Sequence, residues 1–323
     1  MMSGPRPPGL DGVLVVAKPI GPTSHDVVAL VRRLSGTRRV GHGGTLDPFA
    51  SGVLPVFLGR GTRLVEYHMT DRKAYRATVC FGASSTTDDL EGELAPMDGL
   101  PPSRHAVEAA LDAFRGTIVQ VPPAYSAVKV AGRRAYALAR AGKAPELAPR
   151  TVTIDRIELV EWDGGEPERP VAIVEVGCSA GTYVRSIARD LGATLGSGAY
   201  LGALERTASG PFTSADAVPV DVLREEGRDG IAARLQPEDA GLDGLPVVEI
   251  GADDVVAIGR GQRIRDPREP DETPGVGATE GDLVRLRATD GTLVAIGRRH
   301  DGWIDPVKVL RAAPGTGGGD RDR

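Results

Sequence analysis

Cysteine is nearly absent. The chain has two in 323 residues, Cys80 and Cys178, each inside an apolar run. A disulfide framework is therefore excluded, and the two read as buried free thiols in a reducing cytosol. A chain this long buries roughly three quarters of the surface its unfolded form exposes, so it folds without staples. Aromatic residues are also scarce, 4% of the total, which rules out reliance on extended stacking platforms. No apolar run approaches the roughly 18 residues of a membrane span. The opening "MMSGPRPPGL" lacks the apolar core of a signal peptide. A cytoplasmic protein with no membrane contact is expected. With 41% hydrophobic and 26% charged residues, the composition is that of an ordinary globular chain.

Cofactor and metal signatures are missing too. The five histidines are His25, His42, His68, His105 and His300. None pairs with another His or Cys at ligand spacing, so no metal site is expected. The glycine-rich stretch "GHGGTLDPFASG" lacks the Gly-Lys-Ser/Thr ending of a phosphate loop. Its Gly41, Gly43 and Gly44 are wrongly spaced for a dinucleotide fingerprint. No nucleotide cofactor is expected. The Gly-x-Ser-x-Gly elbow of a serine hydrolase is absent as well.

The net charge of −5 hides an uneven distribution. Residues 215–323 hold 22 acids and 15 bases, a net of −7, whereas residues 1–214 hold 22 acids and 24 bases, a net of +2. Between Gln120 and Arg150 the bases Lys129, Arg133, Arg134, Arg140, Lys143 and Arg150 face one acid, Glu146. Arg32, Arg33, Arg38 and Arg39 form a second group, and Arg60, Arg63, Arg72, Lys73 and Arg76 a third. A phosphate backbone responds to local potential, not to the whole-chain sum.

What is present reads as an α+β chain. Residues 1–9 and 313–323 are rich in Gly, Pro and charge and read as disordered tails. A strand is predicted at Val13–Ala17. A helix follows, capped by Thr23 or Ser24, with Val27, Val31 and Leu34 on its apolar face and Gly36 as its stop. Lys73–Phe81 alternates, placing Tyr75, Ala77, Val79 and Phe81 on one side of a strand. Ser103 caps a helix carrying Val107, Ala110, Leu111 and Phe114. Strands are predicted at Thr151–Trp162 and Val171–Cys178. "TYVRSIARDLGATLG" is helical, with Val184, Ile187, Ala188, Leu191 and Leu195 on one face. Beyond Leu245 come a short strand, a short helix, an acidic Pro-rich loop (Asp266–Ala278) and three strands. Asp290–Gly291 and Asp301–Gly302 mark the hairpin turns.

The chemistry centres on "RRVGHGGTLDPFASGVLPVFLGRGTR", Arg38–Arg63. Glycines let the backbone approach a ligand closely. Pro48 forces Asp47 out of helical geometry, so its carboxylate projects from a loop. Two further stretches carry reactive groups: "CSAGTYVRSIARDLG", with Tyr183 and Arg185, and "DRKAYRATVCFGASSTTDDLEGE", with Tyr75.

Six blocks in order make a recognisable set: "KPIGPTSHDVV", "RRVGHGGTLDPFASGVLPV", "KAYRATVCFGASSTTDDLEGE", "VPPAYSAVKVAGRRAYALARAG", "CSAGTYVRSIARDLG" and "LGALERTASGPF". Over residues 10–215 the chain resembles the bacterial tRNA pseudouridine-55 synthases, the TruB-type family, which isomerise a uridine in the T-loop of tRNA. The resemblance implies a pseudouridine synthase fold with a mixed, largely antiparallel central sheet. It places a catalytic domain at 10–240, with an RNA-binding insertion at 129–150, and a small PUA-like β-barrel at 245–312. It implies Asp47 as nucleophile, Arg185 as the cation that keeps it ionised, and Tyr75 stacked on the target base. His42 would fill the space left by a flipped nucleotide. Tyr183 and Leu204 match substrate-contacting positions, Asp89 a polar pocket residue, and Lys18 a support of the Asp47 loop beside the substrate. Attack by Asp47 on the sugar carbon and attack on the base both stay open. The implied partner is the tRNA T-arm stem-loop, bound by a monomer without cofactor. An RNA-binding folding factor with little or no catalysis is the alternative, and a glycosidase acting on free nucleosides a third reading.

Overall fold

The computed structural model describes residues 9–311 except 127–128, 131–132, 136–144, 146, 167 and 268–280. Strand β1 (Gly12–Lys18) leads into helix α1 (Ser24–Ser35). Thr23 caps α1 with a full capping box, its side chain accepting from the Asp26 N–H while Asp26 accepts from the Thr23 N–H. Gly36 ends the helix in the left-handed conformation. After a three-residue strand at Val40–His42 and the glycine-rich loop comes β2 (Ser51–Leu58). Then follow β3 (Lys73–Phe81), α2 (Arg104–Leu111), β4 (Gly116–Gln120), β5 (Arg150–Asp163) and β6 (Val171–Cys178). Helix α3 (Val184–Thr194), β7 (Ala199–Ser209), β8 (Val218–Pro219) and α4 (Val220–Arg234) complete this part.

One ten-stranded sheet results, with the order β8-β1-β2-β7-β3-β6-β5-β4; Val40–His42 is added on β2 and Phe212–Thr213 on β7. Its pairs are antiparallel except β8 with β1 and β2 with β7. The α+β reading with a mixed, largely antiparallel sheet therefore holds. Alternation along β3 buries Ala77, Val79 and Phe81 against Val107 and Leu111 of α2 and Ile187, Ala188 and Leu191 of α3. A second apolar cluster sits under α1 and α4, where Val27 and Val31 meet Leu14, Leu54 and Leu223. The site described below lies where these two halves meet, along the β2–β7–β3 seam.

The remaining strands are β9 (Val247–Ile250), β10 (Ile264–Arg265), β11 (Leu283–Ala288), β12 (Leu293–His300) and β13 (Trp303–Val309). They form a separate sheet, β9-β11-β12-β13-β10, covered by α5 (Ala252–Gly259). Asp301 and Gly302, both at positive φ, make the two-residue turn between β12 and β13, as the Asp-Gly signal predicts. Leu293, Ile296 and Leu310 of this unit pack on Leu64 and Leu242.

Several expectations change. Strands β2 and β7, which carry the middle of the sheet, and helix α4 were not foreseen. The Ser103-capped helix ends at Leu111 and tightens into a 3-10 turn at Asp112–Phe114. Cys178 is a buried free thiol, but Cys80 is only half-buried. The two tails but for Gly9, most of the acidic loop at 266–278 and much of the basic stretch at 129–150 lie outside the described residues. Within that stretch, Lys129–Val130 pairs antiparallel with Arg133–Arg134. Among the described residues no helix is long and apolar enough to cross a membrane.

Candidate active site

Asp47 lies in the loop between Val40–His42 and β2. Three devices shape that loop. Lys18, buried at the end of β1, donates to the carbonyls of Ala50 (2.6 Å), Pro19 (2.9 Å) and Pro48 (3.4 Å). Ser24, at the start of α1, both donates to the Leu46 carbonyl and accepts from the Leu46 N–H. Gly52 brings β2 against β7 at a φ of 105°. A Cβ there would stand 2.2 Å from the Arg206 carbonyl oxygen, so only glycine fits.

The Asp47 carboxylate opens onto a cavity of about 300 Å³, the lower end of the range for small-ligand sites. Arg185, near the N-terminus of α3, meets it at 3.0 Å. The same guanidinium reaches Asp89 at 3.0 Å and donates to the carbonyls of Tyr125 (3.0 Å) and Thr87 (3.2 Å). Arg185 is thus held through both Nη atoms, bridging two carboxylates. Asp89 is in turn gripped by the Thr87 hydroxyl and the Glu91 N–H. Crowding by protein pushes the Asp47 carboxyl above its ordinary value. Arg185 opposes that, and the nearby Asp89 charge adds to it. The 37% of the Asp47 side chain still accessible faces the cavity.

Tyr75 from β3, Tyr183 and Leu204 from β7 also line the cavity. Gln120 clamps Tyr183 by both its backbone groups, at 2.8 and 3.0 Å, and Arg150 lies over its ring, 5.3 Å from the centroid. The Tyr75 phenol is raised by burial, while the Arg206 guanidinium beside it pulls the other way.

The structure thus gathers Asp47, Tyr75, Tyr183, Arg185 and Leu204 around one cavity. The other three sit behind it or beside it. Asp89 stands behind Arg185, buried, and is not among the residues that line the cavity. Lys18 holds the Asp47 loop from below. Burial lowers its pKa to about 8, against the pull of the Asp47 charge. His42 is half-buried at the start of the loop, with its ring edge-on to His25 at 5.3 Å. Its Nδ1 accepts from the Gly44 N–H, and burial, with His25 and Arg206 nearby, lowers its pKa to about 4. It is therefore a neutral imidazole near pH 7.

Two charged wall residues were given no place in the site by the sequence: Lys73 and Arg206. Arg206, 1% exposed, donates from Nε to the Val53 carbonyl (2.7 Å) and from its Nη atoms to Gly44 and Thr45. It sits in register with Tyr75 on one side and Gly52 on the other. One guanidinium thereby joins the strand of Tyr75 to the loop of Asp47. Among the described residues no cluster of three or more His, Cys, Asp or Glu side chains is arranged to hold a metal.

Comparison with known families decides the affiliation. A profile described as the TruB family pseudouridylate synthase N-terminal domain matches residues 32–184. A second, the tRNA pseudouridylate synthase B C-terminal domain, matches residues 185–242. The chain belongs to the TruB family of pseudouridylate synthases. TruB relatives cover most of its length. It is 50% identical over 242 residues to the tRNA pseudouridine synthase B of Symbiobacterium thermophilum, covering 75% of this chain and 79% of that one. To the protein of the same name from Bradyrhizobium diazoefficiens it is 40% identical over 315 residues, 94% of this chain and 88% of that one. Among solved structures, the archaeal box H/ACA sRNP Nop10–Cbf5 complex matches with a TM-score of 0.67 at 28% identity, covering 94% of this chain and 87% of that one. The H/ACA RNP bound to a substrate RNA containing 2′-deoxyuridine gives 0.68 at 27% identity, covering 94% and 86%.

Proposed function

We infer that this TruB-family enzyme isomerises uridine to pseudouridine in tRNA, and that its target lies in the T-loop at position 55. The observation that carries the assignment of roles is the Asp47–Arg185 pair at 3.0 Å on the wall of a cavity that Tyr75 also lines. The reaction breaks a C–N glycosidic bond and remakes it as C–C to the same base. No oxidation state changes, so no redox or nucleotide cofactor is called for. A carboxylate meets the electron deficit at the sugar, as in glycoside hydrolysis. One carboxylate suffices because the base itself returns as the partner.

In this reading Asp47 is the nucleophile and Arg185 keeps it charged and aimed. Tyr75 stacks on the flipped uracil. Stacking is worth roughly 1–3 kcal/mol, which offsets much of the few kcal/mol of unstacking. Tyr183 and Leu204 contact the nucleotide, and His42 occupies its former place in the loop. Lys18 and Asp89 serve the site through Asp47 and Arg185. The basic stretch 129–150 closes on the T-arm by shape and phosphate contacts. The residues just before it are held on α3, since Val121 accepts from Ser186 and Arg189 and Tyr125 accepts from Arg185. We assign residues 10–240 to the catalytic domain and 245–312 to a PUA-like unit, in a cytoplasmic monomer.

The test is incubation of the protein with an unmodified T-arm stem-loop and no added cofactor. The RNA mass should stay constant while one uridine becomes reactive to a carbodiimide label specific for the new base. Release of free uracil would point to the glycosidase instead. Tight binding without any conversion would point to the folding factor.

A further inference from the structure

The cavity wall carries more positive charge than the roles above use. Three cations line it, Lys73, Arg185 and Arg206, against one acid, Asp47. Arg185 is neutralised by two carboxylates, and Arg206 is spent on three backbone carbonyls, two of the loop and one of β2. Lys73 is different. It is 7% exposed, yet its one hydrogen bond among the described residues is a long one, 3.4 Å to the His68 carbonyl. An ammonium has three donors, so two are left for whatever enters. Lys73 opens β3 two residues before Tyr75, and side chains two apart on a strand share a face. The free ammonium therefore lies on the Tyr75 side of the cavity, where the reading above puts the base.

We propose that Lys73 is a further catalytic residue of the isomerisation: its ammonium, backed by Arg206, holds the negative charge that uracil carries once it is detached from the sugar. The inference rests on the pseudouridine synthase reading and names a charge that reading requires. When the C1′–N1 bond breaks, its electron pair leaves on N1 and spreads over O2 and O4 of the ring. Asp47 meets the deficit at C1′. When C5 then bonds to C1′, the ring supplies the pair, Asp47 is released, C5 loses a proton and N1 gains one. Nothing is oxidised and no co-reactant enters. Through the middle of this sequence a free anion must be retained and turned in place. A buried cation with open donors stabilises it electrostatically without tying it to one orientation.

The groups around Lys73 suit this task. Asp71, in the turn before β3, attracts it and is itself held by His68 at 3.0 Å; Arg206 on β7 repels it somewhat less, and Cys178 on β6 adds the smallest attraction. Burial dominates and lowers the Lys73 pKa to about 8. Lys73 is therefore charged near neutrality and loses its charge as pH rises through that value.

Single-turnover conversion of an unmodified T-arm stem-loop by the full-length protein tests the inference, with wild type, Lys73→Met and Lys73→Arg compared across pH. Wild type run in parallel separates the two layers: if it makes no pseudouridine, the underlying reading fails first. With an active wild type, Lys73→Met should lose about 100-fold or more in rate, with RNA affinity within about threefold. Lys73→Arg should restore much of the rate. Its fall at alkaline pH should lie at least one pH unit above that of wild type, because arginine stays charged. A Lys73→Met rate within about threefold of wild type overturns the proposal. So does a defect confined to RNA affinity, which would make Lys73 a phosphate contact, or an alkaline limb that does not move in Lys73→Arg. Should Lys73→Met fail to fold by circular dichroism, the Lys73→Arg limb decides alone.

Discussion

At the scale of single residues, the site is a chain of charges: Lys18 under the loop, then Asp47, Arg185 and Asp89. Arg185 is shared, and Asp89 fixes where its planar fork points. Asp89→Asn keeps the shape and removes the charge. Its single-turnover rate should fall by about 100-fold through misplacement of Arg185, with RNA affinity nearly unchanged in a filter-binding assay. The pH dependence follows from Asp47. Its folded-state pKa is raised above the ordinary carboxylate value, so the folded protein holds that proton more tightly than the unfolded chain does. The reactive carboxylate is complete above the raised value and lost as pH falls through it. The acid limb of the rate should therefore lie above about pH 4, the value of a free aspartate. A pH–rate profile on the same stem-loop checks this. The sequence could have exposed Lys73. The alternation that places Tyr75, Ala77, Val79 and Phe81 on one face also places Lys73 there, a lysine heading an apolar row. Arg206 shares its face of β7 with Leu204 in the same way. Nothing in sequence spacing tells that Arg185 serves Asp89 as well as Asp47, because those partners are joined only by the sheet.

At the scale of elements, α1, β3, β6 and α3 were legible because each combines a clean period with a cap or a turn residue. Strand β2 was not. From Val53 to Leu58 it is buried on both faces, so it shows no alternation, and Pro55 reads as a breaker although it sits inside the strand. Strand β7 carries bulges near Gly202 and Thr207 that break its period. Yet these two strands build the site, and Gly52 is their joint. Gly52→Ala should destabilise the protein by at least about 2 kcal/mol, from a left-handed φ and a clash with backbone. Thermal unfolding should show a markedly lower midpoint, and the surviving folded fraction should convert RNA more slowly.

At the scale of the whole molecule, charge and apolar packing weld the five-stranded sheet to the larger one. Besides the Leu64–Leu242–Leu293–Ile296–Leu310 cluster, Asp239 pairs with Arg285 (3.1 Å) and Arg287 (2.5 Å). Glu238 pairs with Arg60 (2.9 Å) and Arg311 (3.4 Å), and Lys308 with Glu66 (2.6 Å). Asp239 is 3% exposed. Asp239→Ala leaves Arg285 buried without its main partner and should cost about 3 kcal/mol. Calorimetry should then resolve two transitions where wild type shows one. This joint was invisible in the sequence, which offered only a net charge of −7 for the last third of the chain. The local pairing of acids with arginines explains how that charge is borne.

The central claim is that one carboxylate does the chemistry, and Asp47→Asn tests it most directly. The variant and wild type are each bound to an unmodified T-arm stem-loop and assayed for pseudouridine in a single turnover. The account predicts equal binding, full conversion by wild type and no conversion by the variant. Conversion by Asp47→Asn at a rate near that of wild type would contradict it.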